Sequence, residues 1–204
     1  MPALFKRYCC FFFLPLLLAG MGCRQETAPK YRIGFSQCTG NDDWRRNMLT
    51  EMKRELFYHP EMQLLYKDAE SDSKRQAQQI RDLLTQKIDI LVVSPNEAAP
   101  LAPIIAETYG KGIPVIILDR KAATDSFTAY IGGDNYNIGK LAAEYIAVQL
   151  GGKGRIVEVT GLRGSSPTVE RHQGFHDALV HYPQLQLIAT LEGSWVADKT
   201  LAAA

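Results

Sequence analysis

Hydrophobic and polar positions along this chain form short apolar runs that alternate with longer stretches of helical spacing. A short apolar run bounded by glycine, proline or charge is typical of a buried strand, whereas apolar residues three and four positions apart indicate a helix. Each predicted helix follows one strand and precedes the next, which is the order of a parallel sheet with crossover helices. The pattern predicts strands at 31–36, 62–66, 88–93, 113–118 and 128–132, and helices at 44–58, 73–86 and 98–111.

The same order restarts after Gly132-Gly133-Asp134-Asn135, a segment that we interpret as a hinge or crossover. Repeated strand–helix–strand units predict an α/β fold, a doubly wound parallel sheet with helices on both faces and right-handed crossovers. We expect a complete first lobe at 31–133 and a partial second lobe at 134–204, as in a chain truncated at its C-terminus. The second set is predicted to contain helices at 138–150, 169–181 and 197–204 and strands at 155–160 and 185–191.

The first residues have the pattern of a targeting segment. Lys6 and Arg7 precede an apolar run over 8–22 that is too short for a comfortable membrane span and is interrupted by Pro15. We therefore predict a signal peptide at 1–22 and a polar tether at 23–30. The signal ends in LAGMGC, which resembles a bacterial lipobox with Cys23 as the lipidated residue. Ordinary cleavage and a retained anchor are the alternatives, and each outcome predicts the periplasm or cell envelope.

Composition excludes several classes of protein. The chain is 46% hydrophobic and 22% charged, with a formal net charge of +1, which is ordinary for a globular protein. Near-zero charge without a basic stripe argues against nucleic acid as a partner. Of the four cysteines, only Cys38 lies in the body of the chain, so no internal disulfide framework is expected there.

Polar loops follow the predicted strands at the ends where α/β sheets bind ligands. If the two lobes face each other, these loops line one cleft between them. The fourth strand ends at Asp119-Arg120, a pair whose carboxylate accepts and whose guanidinium donates hydrogen bonds to neighbouring hydroxyls. A surface ion pair is the alternative interpretation. The five loops are 36–46, 94–98, 119–122, 160–171 and 192–198.

Aromatic and basic residues in the same loops complete a candidate carbohydrate site. Trp44 and Trp195 offer rings that can cover the C–H face of a sugar, although a helix-start staple and a core anchor are the respective alternatives. Arg45 and Arg171 add planar donors for hydroxyl groups.

Four segments together resemble the type I periplasmic sugar-binding proteins, specifically the ribose- and galactofuranose-binding group. The segments are IGFSQ with WR, PVIILDRKA, GDNYNIGKLAAEYI and ERHQGFHDAL. FSQ followed by WR is closer to the galactofuranose-binding branch. The resemblance implies a type I periplasmic-binding-protein fold and assigns sugar contacts by position to Trp44, Arg45, Asp119, Arg120, Arg171 and Trp195, with Asp42 and Cys38 at further polar positions.

The resemblance implies a non-catalytic receptor that closes two lobes around a monosaccharide. Its expected role is the binding component of an ABC sugar importer, with a membrane permease as partner. The alternative is the extracytoplasmic sensing end of a hybrid two-component sensor kinase. Further sugar contacts of the family lie beyond position 204, so we expect weak or no sugar binding by 31–204 alone.

Other chemistries lack a matching pattern. No Ser-His-Asp or Cys-His arrangement and no glycine-rich phosphate fingerprint is present, so we expect neither catalysis nor a cofactor. Sugar-responsive repressors share the core but carry a helix-turn-helix where this chain has its signal peptide. His172 and His176 share one face of a predicted helix, and we interpret them as solvated surface rather than a metal site.

Overall fold

A computed structural model describes residues 29–203 and contains two parallel sheets. The first sheet has five strands in the order β2-β1-β3-β4-β5, and every neighbouring pair is parallel. The predicted signal peptide and Cys23 lie outside the described residues, as does most of the predicted tether. The elements of this first unit are β1 Tyr31–Gln37, α1 Asp43–Leu56, β2 Met62–Asp68, α2 Ser73–Thr85, β3 Ile90–Ser94, α3 Ala98–Gly110, β4 Val115–Leu118 and β5 Ala129–Ile131.

The strand order reverses between β1 and β3, because the chain first adds β2 on one side of β1 and then β3 on the other. Loops that leave the carboxyl ends of the strands at such a switch point diverge and open a crevice for ligands. The core lies between β3, β4 and the helices α2 and α3, where Ile80, Leu91 and Ile105 are fully buried. This apolar core fixes the direction in which the polar loops after β1, β3 and β4 leave the sheet.

The second unit contains two parallel strands in contact with each other and three helices. Two glycines let α4 and α5 pack backbone against backbone. A Cβ at Gly139 would overlap the carbonyl of Arg171, and one at Gly174 would overlap the carbonyl of Tyr136. The elements are α4 Asn135–Gln149, β6 Lys153–Thr160, α5 Ser166–Leu179, β7 Gln184–Glu192 and α6 Ala197–Ala203.

Two helix starts predicted from the apolar pattern are wrong by three residues. The helix predicted from position 138 begins at Asn135, because the Asp134 side chain accepts from the backbone N–H of Asn137 at 3.0 Å and caps the first turn. The helix predicted from position 169 begins at Ser166, and Pro167 occupies its first turn, where the missing N–H costs nothing. Both shifts move residues from predicted loops into fixed helical positions beside the cleft.

The two units touch through the loops that follow their strands. The backbone N–H of Lys121 donates to the Ser166 hydroxyl at 2.6 Å, and the backbone N–H of Ala98 donates to the Gly164 carbonyl at 3.0 Å. These bonds place the polar edges of the two sheets face to face. None of the helices between residues 29 and 203 is both long and apolar enough to cross a bilayer.

Candidate functional site

A cavity of about 380 Å³ lies between the two units. Seven of the eight residues predicted as sugar contacts line it, and Cys38 is the exception. The loops of both units therefore converge on one space of the size expected for a small ligand. The lining residues are Asp42, Trp44, Arg45, Asp119, Arg120, Pro167, Arg171 and Trp195.

Arg45 is the most extensively bonded side chain of the cavity. Its Nη2 donates to Asp119 Oδ2 at 2.6 Å and its Nη1 to Asp42 Oδ2 at 3.3 Å. Its Nε donates to the sulfur of Cys38 at 3.0 Å. Burial disfavours the Arg45 charge, but Cys38 and the two carboxylates outweigh it and raise the pKa of Arg45 above its ordinary value. The guanidinium is therefore a fixed cation whose orientation is set before any ligand arrives.

Asp42 has a second role at the start of α1. Its Oδ1 accepts the backbone N–H of Arg45 at 2.8 Å, which is the standard N-cap contact. The same carboxylate thus begins the helix and holds the arginine side chain from its other oxygen. This local geometry places Trp44 in the first turn of α1, where it is 63% exposed at the edge of the cavity. Such exposure excludes core packing for Trp44.

Asp119 occupies a strained backbone position directly after β4. Its φ of +62° lies in the left-handed region, which aspartate tolerates better than most residues. The backbone N–H of Asp119 donates to the Ile131 carbonyl at 2.8 Å, and the Tyr130 hydroxyl donates to the Asp119 carbonyl at 3.1 Å. These contacts hold the turn that directs the carboxylate toward Arg45. Strain of this kind is often found at binding sites.

Arg120 directly follows Asp119, lines the same cavity and is 3% exposed. Its Nη1 donates to the backbone carbonyl of Asn96 at 2.9 Å. Burial, together with the neighbouring Arg45 cation, lowers the pKa of Arg120, while Cys38 and the carboxylates oppose the shift. Its Nε and Nη2 donors have no acceptor in the described part of the chain and remain available to a ligand.

The second unit contributes Arg171 and Trp195. The Nε of Arg171 donates to Asn135 Oδ1 at 2.9 Å, and its guanidinium carbon lies 5.7 Å from the centre of the Trp195 ring. The ring lies directly on Gly161, where any Cβ would overlap it. At 43% exposed, Trp195 is not a core anchor.

The prediction that Cys38 contacts the sugar is wrong. Cys38 is fully buried and does not line the cavity. Its sulfur supports Arg45 from behind, because the residue is the first one after β1 and points into the first unit.

Sequence reasoning missed several polar residues that hold the cavity residues in place. Gln37 donates from Nε2 to the Arg45 carbonyl at 3.1 Å and accepts from the Tyr66 hydroxyl at 2.9 Å. Asn96 and Asn135 position Arg120 and Arg171, respectively. Gln37 and Asn135 stand inside quoted motifs and Asn96 in a flagged loop, but their roles depend on contacts across the fold.

The cavity combines three guanidinium groups, two carboxylates and two aromatic rings. The planar donors and acceptors match the hydroxyl groups of a small polyhydroxylated ring, and the exposed aromatic rings match its C–H face. The cations and anions nearly balance, so the arrangement favours a neutral polar ligand over a strongly charged one.

Comparison with known proteins gives the same family for nearly the whole described chain. The model of the periplasmic binding protein domain matches residues 33–204. The ribose import binding protein RbsB of Bacillus subtilis (strain 168) is 29% identical over 148 residues, which is 72% of this chain and 48% of that protein. The galactofuranose-binding protein YtfQ of Escherichia coli (strain K12) is 26% identical over 185 residues, 89% of this chain and 58% of that protein.

A solved structure with higher identity is the fructose-binding periplasmic domain of a hybrid two-component system. It superposes with a TM-score of 0.78 at 45% identity, covering 81% of this chain and 55% of that one. The chain therefore spans about half the length of the relatives it matches. Together with the doubly wound sheet and the cavity at its switch point, the family match shows that this chain belongs to the periplasmic binding protein family.

Proposed function

We propose that this chain binds a monosaccharide in the cavity between its two units and does so in the bacterial cell envelope. The observation that supports this most directly is the convergence of Arg45, Asp119 and Arg120 with both tryptophans on one space. A charge-assisted hydrogen bond contributes about 1.5–3 kcal/mol, so a few such bonds and one stacked ring are enough for a small sugar.

The ligand class that we propose is a hexose or pentose, with fructose as the first candidate. Its support is the 45% identity to a fructose-binding domain, together with relatives that bind galactofuranose and ribose. A furanose ring is compact and exposes hydroxyl groups in and out of the ring plane, which suits a cavity lined by both charged planar groups and aromatic rings.

The function that we propose is recognition without chemical conversion. Asp119 pairs with Arg45 at 2.6 Å instead of orienting a base or a nucleophile. Contacts such as Lys121 to Ser166 join the edges of the two units around the cavity. A sugar that touches both units would favour this closed arrangement over an open one, because it binds the closed state better.

The downstream partner that we propose is the transmembrane part of a sensor kinase. The support is the fructose-binding domain of a hybrid two-component system, whose identity of 45% exceeds the 29% of the ribose import protein. The sequence interpretation placed an ABC importer first, and that remains the second candidate because of the import relatives.

A gene deletion separates the two partners. Loss of sugar-induced transcription with normal uptake of labelled sugar supports the sensor. Loss of uptake supports the importer. If the deletion affects neither sugar-induced transcription nor sugar uptake, both the sensor and the importer assignments are contradicted.

The envelope location rests on the predicted signal peptide at 1–22 and the lipidation of Cys23, both of which remain predictions. Metabolic labelling with a fatty-acid analogue tests them. We expect label in the unaltered chain and none in Cys23→Ser. Equal labelling of both chains would contradict lipidation at this cysteine.

Saturation-transfer NMR with fructose, ribose and galactose tests the binding function. We expect transfer to at least one sugar from the unaltered chain and a clear loss of transfer in Trp44→Ala. The matched control is Phe57→Ala, because Phe57 is an aromatic residue 82% exposed outside the cavity. Absence of transfer to all three sugars, or equal transfer in Trp44→Ala and Phe57→Ala, would contradict the proposal.

A further inference from the structure

A second polar cluster lies in the second unit, outside the predicted sugar contacts. Glu158 on β6 meets His172 and His176, which are four positions apart on α5. One potential ligand atom from each residue lies within 4.8 Å of the others. The imidazole rings are neighbours, with centres 4.0 Å apart. The cluster therefore gathers two nitrogens and a carboxylate from two different elements.

Two of the three atom separations are close to those of a zinc site. His172 Nδ1 lies 3.0 Å from both carboxylate oxygens of Glu158, and His176 Nε2 lies 3.2 Å from Glu158 Oε2. A tetrahedral zinc ion with bonds of about 2.0–2.2 Å holds its ligand atoms about 3.4 Å apart. The nitrogens of the two imidazoles lie within 4.8 Å of each other, so side-chain rotation has to bring them to the zinc spacing.

The charge of Glu158 also favours a cation. The side chain is only 12% exposed, and no Lys or Arg within residues 29–203 forms an ion pair with it. Its other contact is the hydroxyl of Thr190, which donates to Oε2 at 3.3 Å and orients the carboxylate. When both imidazoles are neutral, this half-enclosed negative charge has no compensating charge among its direct contacts. A divalent ion would supply it.

Access to the cluster is open. The side chains of His172 and His176 are 45% and 39% exposed, so an ion can reach both nitrogens from solvent. Glu158 and His172 line a cavity that also borders Arg171 and Trp195, two of the residues that the second unit contributes to the sugar cavity. His172 directly follows Arg171 on α5. The cluster thus adjoins the proposed sugar site without sharing its own three side chains with it.

We propose that Glu158, His172 and His176 bind one divalent transition-metal ion, with zinc as the best match. Imidazole and carboxylate ligands suit zinc, and two histidines with one glutamate leave the fourth tetrahedral position to water. The sequence interpretation assigned the two histidines to solvated surface, because they are not part of an HExxH motif. No sequence pattern links them to Glu158, which stands on a strand. The ion would tie α5 to β6.

Calorimetric titration of the purified chain with zinc chloride tests the site. We expect one ion per chain, and an affinity at least tenfold lower in each of His172→Ala, His176→Ala and Glu158→Gln. Cobalt(II) should give the visible absorption of a tetrahedral site in the unaltered chain and lose it in the three variants. The matched control is His181→Ala, an exposed histidine just beyond the end of α5 that is outside the cluster.

Thermal unfolding distinguishes loss of a metal ligand from loss of a merely structural side chain. Thermal unfolding should shift upward with zinc in the unaltered chain and in His181→Ala but not in the cluster variants. Absence of stoichiometric zinc binding would overturn the proposal. So would zinc binding that survives His172→Ala and His176→Ala together, since no other pair of histidines in the described chain joins a cluster.

Discussion

Arg45 and Asp119 stand 74 positions apart and meet through a hydrogen bond of 2.6 Å between Nη2 and Oδ2. Arg45 lies in the first turn of α1, the helix after β1, and Asp119 directly follows β4. These strands lie on either side of β3, so the contact bridges the carboxyl edge of the sheet. Each side chain thereby holds the other in place before a ligand binds. Less side-chain conformational entropy is then lost on binding.

Replacement of Asp119 by asparagine should weaken sugar binding by about 2 kcal/mol, or roughly 30-fold, because a charge-assisted bond is lost. Asparagine tolerates the left-handed backbone of this position, so the fold should be retained. Ligand-detected NMR titration measures the change.

The control for this prediction is Asp43→Asn. Asp43 pairs with Arg46 on the exposed face of α1, outside the cavity. Sugar affinity should be unchanged in this variant. Equal affinity of Asp119→Asn and the unaltered chain would remove Asp119 from the binding site.

The close packing of α4 and α5 gives a prediction about stability. Gly139→Ala should lower the free energy of unfolding by about 1–3 kcal/mol, because the added Cβ overlaps the backbone carbonyl of Arg171 and the helices must separate. Denaturant unfolding measures this. Gly110→Ala is the control, because a Cβ there meets no atom within 4 Å. A loss of stability in both variants would indicate a general effect of replacing glycine in these helices.

Much of this architecture could be predicted from the sequence. Apolar runs such as that of β4 identify buried strands, and the order of strands and helices leads to a parallel sheet whose carboxyl edge holds the polar loops. Asp119 and Arg120 could be assigned to that edge because they directly follow a strand. The sequence therefore predicted which side chains come together before any distance was known.

The remainder depends on contacts across the fold. The start of α4 is set by the Asp134 cap, which precedes the first apolar position by four residues and leaves no trace in the apolar pattern. Asn96 positions Arg120 with its backbone carbonyl, a group that every residue has. Glu158 meets His172 only because β6 and α5 pack together. Pairings of this kind appear only in three dimensions.

The hydrogen-bonded chain from Tyr66 through Gln37 to Arg45 predicts a dependence on alkaline pH. Burial, with smaller effects of Asp68 and Cys38, raises the pKa of Tyr66 from 10.0 to about 12. The folded state therefore retains this proton more tightly than the unfolded state. The stabilisation is complete below pH 10 and is lost as the pH rises from 10 to about 12.

Denaturant unfolding at pH 9 and pH 11.5 should therefore show a smaller loss of stability in Tyr66→Phe than in the unaltered chain. Tyr58→Phe is the control, because Tyr58 is 71% exposed and should leave the pH dependence unaltered. An identical alkaline loss in all three chains would show that the Tyr66 proton is not linked to folding.

The ion pair between Lys121 and Glu170 joins the two units, with Nζ and Oε1 2.7 Å apart. The hydrogen bond to Glu170 raises the pKa of Lys121 despite partial desolvation. The stabilisation by the pair is therefore complete below the ordinary pKa of lysine and is lost as the pH rises through the higher pKa of the folded state. Lys121→Gln should weaken sugar binding a few-fold, because the closed arrangement loses a contact, while unfolding changes by less than about 1 kcal/mol for so exposed a pair. Lys111→Gln is the matched control, since Lys111 pairs with Glu107 at 2.6 Å at the C-terminal end of α3 and away from the cavity. Sugar titrations of the two variants measure this effect. Equal sugar affinities of Lys121→Gln and Lys111→Gln would mean that the pair between Lys121 and Glu170 does not contribute to closure.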